Sequence, residues 1–345
     1  MRAFLLAALA LLLTACNPPP PVNSGGHIPP ELWQAFKQAY VHESGRVIDS
    51  GNRDISHSEG QGYAMLLAVA ADDQASFQRI WQWTQDNLRR QQDVFFSWRW
   101  RPDATPHVDD PNNASDGELL IAWALSRAAA RWSKSEYKQQ ALTLAQALRA
   151  KLIRPSVHGP VLLPGMDGFE HAESLTVNLS YWIFPAFSEL NTLDPSPEWA
   201  TLRETGIALI RQAQFGQAKL PPDWLKIDVN GSLSPAPGWP PRFSFDAMRI
   251  PLYACWANLD LAPLYAHVDV LWQHPGHPVW VNLESGELAP YPLSSGGRMI
   301  LQFMQRCLNP GQAQPLPVTT ELKDENYYSS VLTLLTYLAQ SEREP

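Results

Sequence analysis

The chain has 345 residues, of which 45% are hydrophobic and 17% are charged, so it is long enough for one large core or two ordinary domains. Its formal net charge of −8 argues against nucleic acid or an anionic membrane surface as the main partner. Many of the 14 Trp residues lie beside polar residues, Gly or Pro. Trp suits the apolar faces of sugar rings, although core packing is the commoner role of any single Trp.

Residues 1–16 have the pattern of an export signal. Arg2 supplies a short positive region, residues 3–13 are apolar, and the segment ends in the sequence LTAC with Cys16 last. The apolar run is too short to span a bilayer as a stable helix. The ending resembles the bacterial lipobox, which predicts cleavage before Cys16 and a lipid on that cysteine. A plain cleaved signal is the alternative. Residues 17–28 then form a Pro- and Gly-rich tether.

From residue 29 to 341, helical periodicity recurs without a break in composition, which predicts a single all-α domain. Short and long connections roughly alternate, as expected for helix hairpins stacked in a ring whose long loops gather at one end and build a cleft. Short strands are predicted at 94–100 and 278–283. The predicted helices are 30–43, 59–72, 74–91, 115–131, 134–152, 172–190, 197–214, 244–258, 260–273, 296–308 and 326–340.

The segment 54–65, DISHSEGQGYAM, places Glu59 between a polar turn and an apolar run. Gly60 and Gly62 follow the acid, and two glycines in the first turn of a helix destabilise it. Small residues beside an acid leave room for another chain, such as a sugar polymer, to approach the backbone. Alternatively, the S-x-x-E pattern at 56–59 is a capping box, in which Glu59 only closes the helix start.

Two further acids, Asp116 and Asp246, each stand at the start of an apolar predicted helix beside small and aromatic residues. The helix macrodipole favours acids at an N-terminus, which accounts for Asp116 without any catalytic role. An exposed ion pair with Arg249 would account for Asp246 in the same way. The aromatic neighbours of Asp246 argue against a solvated face. A carboxyl group in apolar surroundings has a raised pKa unless it is paired, and Arg249 would keep it ionised, as a general base requires.

Glycoside hydrolysis needs two carboxyl groups that face each other across the scissile bond. One donates a proton to the leaving oxygen, and the other activates water or attacks the sugar. The sequence supplies acids on different predicted helices, near loops rich in Trp and Tyr. No CxxC motif, Cys/His cluster or phosphate-binding loop is present, so no metal or other cofactor is expected. Cys255 and Cys307 are explained equally well as a disulfide or as two buried thiols.

Five motifs make the chain resemble glycoside hydrolase family 8, and among its members the endoglucanases encoded with bacterial cellulose synthase. The motifs run in the family's order, and the resemblance extends from about residue 30 to 340. The first, second and last are specific in combination. The motifs are SEGQGY at 58–63, NASDGEL at 113–119, LSYW at 179–182, PDW at 222–224 and FDAxRIP at 245–251.

The resemblance implies an (α/α)6 barrel of six inner and six outer helices, and hydrolysis of β-1,4-glucan with inversion at the anomeric carbon. It makes Glu59 the general acid and Asp246 the general base. It makes Asp116 the acid that holds the distorted sugar at the cleavage point. Substrate contacts are expected from side chains near these acids, namely Gln61, Tyr63, Trp98, Trp100, Tyr181 and Arg249.

Three alternatives stay open. The same fold and mechanism could act on xylan, mixed-linkage β-glucan or chitosan. A non-catalytic glucan-binding lipoprotein is the second, although binding alone needs neither a proton donor nor a base. A polysaccharide lyase on a similar helical toroid is the third, and the acidic balance disfavours it because such enzymes need basic cleft residues.

The sequence also predicts where in the cell the protein is located. Relatives encoded with cellulose synthase imply work in the periplasm, beside the cellulose synthesis and export complex. Asn17 stands where an aspartate commonly retains bacterial lipoproteins at the inner membrane. We therefore expect a monomeric enzyme that a lipid on Cys16 anchors to the periplasmic face of the outer membrane.

Overall fold

The computed structural model describes residues 26–309 and 326–343, together with residues 311, 316 and 322. The predictions for residues 1–16, including Cys16, lie outside this part of the chain. The described helices are α1 Pro30–Tyr40, α2 Ser58–Ala70, α3 Gln74–Leu88, α4 Ser115–Trp132, α5 Ser135–Leu152, α6 Phe184–Leu193, α7 Pro197–Gln212, α8 Arg249–Trp256, α9 Ala262–Trp272, α10 Ser295–Leu308 and α11 Tyr327–Arg343.

Six of these helices form a closed inner ring. Helices α2, α4, α6, α8, α10 and α11 contact one another in that order, and α11 contacts α2 to complete the circle. The outer helices pack against this ring: α3 on α2, α5 on α4, α7 on α6, α9 on α10 and α1 on α11. The predicted (α/α)6 barrel is confirmed, and the described residues contain its whole inner ring.

The inner and outer helices differ in how much of their surface is buried. Most residues of α2 and α4 are buried, as expected for helices that pack against neighbours on several sides. The outer helix α1 buries a single stripe, formed by Leu32, Trp33, Phe36 and Tyr40. The barrel core is therefore built by the inner helices and by one face of each outer helix.

The glycines that follow Glu59 serve this packing. A Cβ atom on Gly62 would lie 2.5 Å from the Cβ of Leu120 in α4, and one on Gly60 would lie 2.7 Å from the Tyr327 hydroxyl in α11. Any side chain at either position would force neighbouring inner helices apart. The expectation that these glycines make room for a polymer is therefore wrong, because helices occupy the space.

Short β-strands lie in the connections between the helices of the barrel. Strands β5, β6, β7 and β8 form an antiparallel four-stranded sheet in that order, and β1 with β2, β3 with β4 and β9 with β10 form two-stranded pairs. Their bounds are β1 Ser56–His57, β2 Arg99–Trp100, β3 Ile153–Ser156, β4 Gly159–Leu162, β5 Glu170–His171, β6 Ser174–Val177, β7 Leu225–Asp228, β8 Leu233–Pro235, β9 Arg242–Phe243 and β10 Val281–Asn282.

Most predicted helices are present with ends that differ by a few residues, but the helix at 172–190 is wrong in its first half. That half forms β6 and a single 3-10 turn at Leu179–Tyr181, and α6 begins only at Phe184. Strand β6 pairs with β7 from Ser174 opposite Asp228 onward. The predicted helix 244–258 begins at Arg249 instead, because the residues before it form a loop.

The end of α11 receives the start of the described chain. The backbone N–H of Gly26 donates to Glu342 Oε1 at 3.1 Å, and that of His27 donates to Ser341 Oγ at 2.8 Å. A Cβ atom on Gly26 would lie 2.2 Å from Ser341 Oγ, so the approach is close. Within the described residues, no helix is long and apolar enough to cross a membrane.

A disulfide links α8 to α10. It joins Cys255 to Cys307, whose Cα atoms lie 6.0 Å apart, within the usual range for such a bond. The structure thus resolves the two readings of these cysteines in favour of pairing.

Candidate active site

Three acids meet where the inner helices begin. Glu59 is the second residue of α2, Asp116 is the second residue of α4, and Asp246 lies three residues ahead of the first residue of α8. Their surroundings overlap, because the charge of Asp116 acts on the pKa of Asp246. The structure therefore brings together three acids that lie far apart in the sequence.

Arg249, at the start of α8, connects two of the acids. Its side chain is buried, its Nη1 donates to Glu59 Oε1, and its Nη2 donates to Asp246 Oδ1 at 2.9 Å. The same Nη2 also donates to Ser180 Oγ at 2.9 Å. A guanidinium is a rigid planar fork, so it fixes the relative placement of Glu59 and Asp246.

The start of α2 does not use a capping box. His57 is the N-cap residue, and its Nδ1 accepts the backbone N–H of Gly60 at 2.9 Å. The Ser56 hydroxyl has no hydrogen-bond partner among the described residues. Glu59 is turned toward Arg249 rather than back toward the helix start. The alternative in which Glu59 only caps the helix is therefore wrong.

Tyr63 fixes Glu59 from one turn further along α2. Its hydroxyl donates to Glu59 Oε1 at 3.2 Å and lies 2.7 Å from the Tyr253 hydroxyl. The side chain is almost completely buried. Tyr63 therefore positions the acid, in place of the substrate contact predicted for it.

Asp116 is only 4% exposed. Burial raises the pKa of its carboxyl group to about 6, against the opposing effect of the Gly117 backbone N–H, which donates to Oδ1 at 2.8 Å. Its neighbour Gly117 brings α4 against α2, because a Cβ atom there would lie 2.1 Å from Ser58 Oγ. Glycine at this position thus lets the acids of the two helices share one site.

The Asp246 side chain is 31% exposed, so its carboxyl group is in contact with water. Burial raises the pKa of its carboxyl group well above the usual value, and the charges of Asp223 and Asp116 raise it further. Asp223 also holds the loop that carries Asp246. It accepts the backbone N–H groups of Ser244 at 2.9 Å and Ala247 at 2.8 Å.

Tyr181 belongs to the same cluster. Burial raises the pKa of its hydroxyl well above the usual value, and the charges of Asp116 and Asp246 act in the same direction. The Tyr181 ring also meets the edge of Trp224 at 5.9 Å. The structure thus places Tyr181 beside both acids, as its predicted role at the cleavage subsite requires.

The family model described as glycosyl hydrolases family 8 matches residues 2–342. The chain belongs to glycosyl hydrolase family 8. It is 41% identical to a protein of Novacetimonas hansenii named "Probable endoglucanase", over 90% of this chain and 91% of that protein. It is 39% identical to an endoglucanase of Cellulomonas uda, over 76% of this chain and 74% of that protein.

A solved structure agrees with this assignment. The endo-beta-1,4-glucanase CMCax from Acetobacter xylinum superimposes with a TM-score of 0.84 at 40% sequence identity, covering 92% of this chain and 98% of that chain. The protein is therefore a glycoside hydrolase, and its three acids lie at or near the starts of inner helices of a family 8 barrel.

An aromatic stack lies beside Tyr181 in this family 8 enzyme. The rings of Trp224 and Trp239 are parallel, with centroids 4.6 Å apart, and Phe169 stacks on Trp224 at 5.7 Å. Sequence reasoning noted the PDW motif but assigned no role to Trp224, and it missed Trp239 and Phe169. The high Trp content was the one signal that pointed to such a stack.

Gln61 is the clearest correction among the predicted substrate contacts. Its side chain is completely buried, and its Oε1 accepts the backbone N–H of Val47 at 2.7 Å. Its Nε2 donates to the Gly45 carbonyl at 3.2 Å and to Thr84 Oγ1 at 2.9 Å. Gln61 therefore ties α2 to the outer layer of the barrel and does not face the cleft.

The two predicted stacking platforms both contact protein groups. Trp98 is half-buried, and its Nε1 donates to Asp110 at 2.8 Å. The ring of Trp100 contacts His107 at 4.3 Å and the guanidinium of Arg46 at 4.8 Å. The guanidinium of Arg99 lies 4.5 Å from the Trp98 ring in the same way, so protein groups contact both rings and sugar stacking on either one stays a prediction. Within the described residues, no group of three or more His, Cys, Asp or Glu is arranged to hold a metal ion.

Proposed function

We propose that this glycoside hydrolase is an endo-β-1,4-glucanase that inverts the anomeric configuration. The observation that carries the proposal is the pairing of Glu59 with Asp246 through Arg249. Inverting enzymes keep their two carboxyl groups roughly 6.5–9.5 Å apart, which leaves room for a water. A guanidinium held between the two carboxylates is compatible with such a gap.

In the proposed mechanism, Glu59 donates its proton to the leaving glycosidic oxygen. Asp246 removes a proton from a water that attacks the anomeric carbon from the opposite face. Asp116 and Tyr181 hold the distorted sugar between them. Because the water enters opposite the leaving group, a β-linked glucan gives a product that is first released as the α-anomer.

The endo mode and the polymer are supported by the endoglucanases that the chain is similar to. The aromatic stack at Trp224 and Trp239 supplies flat apolar faces of the kind that glucose rings pack against. Non-catalytic binding is not favoured, because it gives no reason for an acid and a base joined by one arginine. Xylan, mixed-linkage β-glucan and chitosan serve as comparison substrates in the test.

Two measurements test this function. With carboxymethylcellulose, we expect viscosity to fall faster than reducing ends appear, as internal cleavage requires. During cleavage of cello-oligosaccharides, we expect NMR to show the α-anomer first. Release of cellobiose from chain ends only would contradict the endo mode, and an initial β-anomer would remove Asp246 from its role as the base.

We further propose that the enzyme is a periplasmic, monomeric lipoprotein that acts beside the cellulose synthesis and export complex. The LTAC sequence ending at Cys16 and the Pro-rich residues that follow support the anchor. We expect the full-length protein to fractionate with membranes and its Cys16→Ser variant to be released into the soluble periplasm. Equal release of both would contradict the anchor without affecting the proposed activity.

A further inference from the structure

A buried amide lies behind the proposed base. The Asn178 residue is 2% exposed, and its Oδ1 accepts the backbone N–H of Ser180 at 3.1 Å and the Ser180 hydroxyl at 2.7 Å. These two bonds decide which end of the amide is the oxygen. The Asn178 Nδ2 therefore points the other way, and it has no hydrogen-bond partner within the described residues. Leaving a buried donor unpaired costs about 1–3 kcal/mol.

Hydrogen bonds link Asn178 through Ser180 and Arg249 to Asp246, which makes this carboxylate the acceptor that we assign to the amide. The Asn178 amide lies close enough to Asp246 to lower the pKa of the carboxyl group, although the contact lacks ordinary hydrogen-bond geometry. Catalytic hydrogen bonds are often long or poorly aligned in a free enzyme and tighten when substrate is bound. The unpaired Asn178 N–H₂ group is thus available to donate to Asp246 when substrate binds.

A chain of hydrogen bonds holds the amide in this orientation. Arg249 Nη2 donates both to Asp246 Oδ1 and to Ser180 Oγ, each at 2.9 Å. The Ser180 hydroxyl in turn donates to Asn178 Oδ1. Both paths of donation start at Arg249: one runs directly to Asp246, and the other runs through Ser180 to Asn178. A bond from the Asn178 N–H₂ group to the Asp246 carboxylate would close the chain into a ring.

We infer that Asn178 is a positioning residue for the general base, with an Nδ2 that donates to Asp246 in the substrate complex and holds the carboxylate ionised and aimed at the attacking water. This inference rests on the proposed inverting mechanism. It adds the residue that caps the 3-10 turn of Tyr181 to this site.

The direction of the pH effect follows from the groups around Asp246. Asp223 and Asp116 disfavour its charge, whereas Arg249 and the Asn178 amide favour it. Loss of the amide donor therefore raises the pKa of Asp246. A base acts only when ionised, so the acidic limb of kcat/KM against pH must move to higher pH. The charged and titratable groups that face Asp246 are Arg249, Asp223, Asp116, Tyr181 and Tyr328.

The test compares Asn178→Asp and Ser180→Ala with the wild type. The first change replaces the N–H₂ donor with an acceptor of similar size, and the second removes the hydroxyl that orients the amide. We expect kcat on cello-oligosaccharides to fall by about tenfold or more, the scale of a misplaced base. We expect KM to stay within about twofold, and the acidic limb to move upward by at least about half a pH unit.

Asn191→Asp is the matched control, because the Asn191 Oδ1 also accepts a backbone N–H, that of Ser196 at 3.1 Å, outside the catalytic cluster. It should leave the pH profile unchanged. If Asn178→Asp fails to fold, Ser180→Ala carries the test alone. A folded variant of this pair whose acidic limb matches the wild type would overturn the inference. The anomer released by the wild type reports separately on the proposed function.

Discussion

Replacing Arg249 with methionine should change the pH dependence of this enzyme more than any other single substitution at the cleft. Methionine keeps most of the side-chain length but removes the charge that lies between Glu59 and Asp246. The guanidinium centre lies about 4 Å from the carboxylate charge, so at an effective dielectric constant of about 20 the lost attraction is about 4 kcal/mol.

Solvent screening reduces this figure, because the Asp246 side chain is 31% exposed. We take about half of it, about 2 kcal/mol, which is a factor of about 30 in the equilibrium between protonated and ionised Asp246 at 1.36 kcal/mol per tenfold. The base then loses its charge over a pH range in which the wild type is active. We therefore expect kcat/KM near pH 6 to fall by up to about 30-fold and to recover partly at higher pH.

The assay is kcat/KM on cello-oligosaccharides across the pH range, together with thermal unfolding. Arg127→Met is the matched control, because Arg127 is also buried and pairs with two acids, Glu189 and Glu342, near the end of α11 that holds Gly26. Removing one partner of a buried ion pair costs about 3–5 kcal/mol. Both variants should lose stability, but only Arg249→Met should move the acidic limb. An unmoved limb in folded Arg249→Met would refute the reasoning.

The remaining predictions concern the acids, the aromatic stack and the disulfide. Glu59→Gln and Asp246→Asn should each lower kcat by about 10² or more with unfolding temperatures near that of the wild type, and near-normal turnover by either variant would contradict its assigned role. Trp239→Ala should raise KM on long glucans by about fivefold to tenfold, the loss of roughly 1–1.4 kcal/mol of stacking, and should leave short substrates unaffected. Cys255→Ser with Cys307→Ser should lower the free energy of unfolding by about 4 kcal/mol, from a loop of 52 residues, and should preserve kcat; equal melting of variant and wild type would contradict this.

The catalytic acids were predictable from sequence because short motifs carried them to the starts of helices. Gln61 shows the limit of that approach. In a helix with 100° per residue, Gln61 lies on the opposite face from Glu59, whereas Tyr63 returns to the same face. The helical phase distinguishes Gln61 from Tyr63, whereas closeness to Glu59 in the motif does not.

Long-range pairing explains the other misses. Strand β6 looked like part of a helix because its partner, β7, lies far along the chain, and local periodicity carries no record of such a partner. The same sheet brings Phe169 to Trp224, and a further loop adds Trp239. Phe169, Trp224 and Trp239 lie far apart in the sequence. The high Trp content was therefore the one sequence feature that could indicate their stack.

The contact between α11 and Gly26 places the start of the described chain at the end of the barrel opposite the catalytic acids. Helix α11 has 17 residues and so spans about 25 Å. Near its first turn, the Tyr328 hydroxyl donates to the carbonyl of Phe245, the residue before the proposed base. Near its last turn, Glu342 binds Gly26. The polypeptide that leads into residue 26 therefore joins the barrel at the pole remote from catalysis. Under the proposed lipid anchor on Cys16, the catalytic acids would lie on the side of the barrel away from the bilayer.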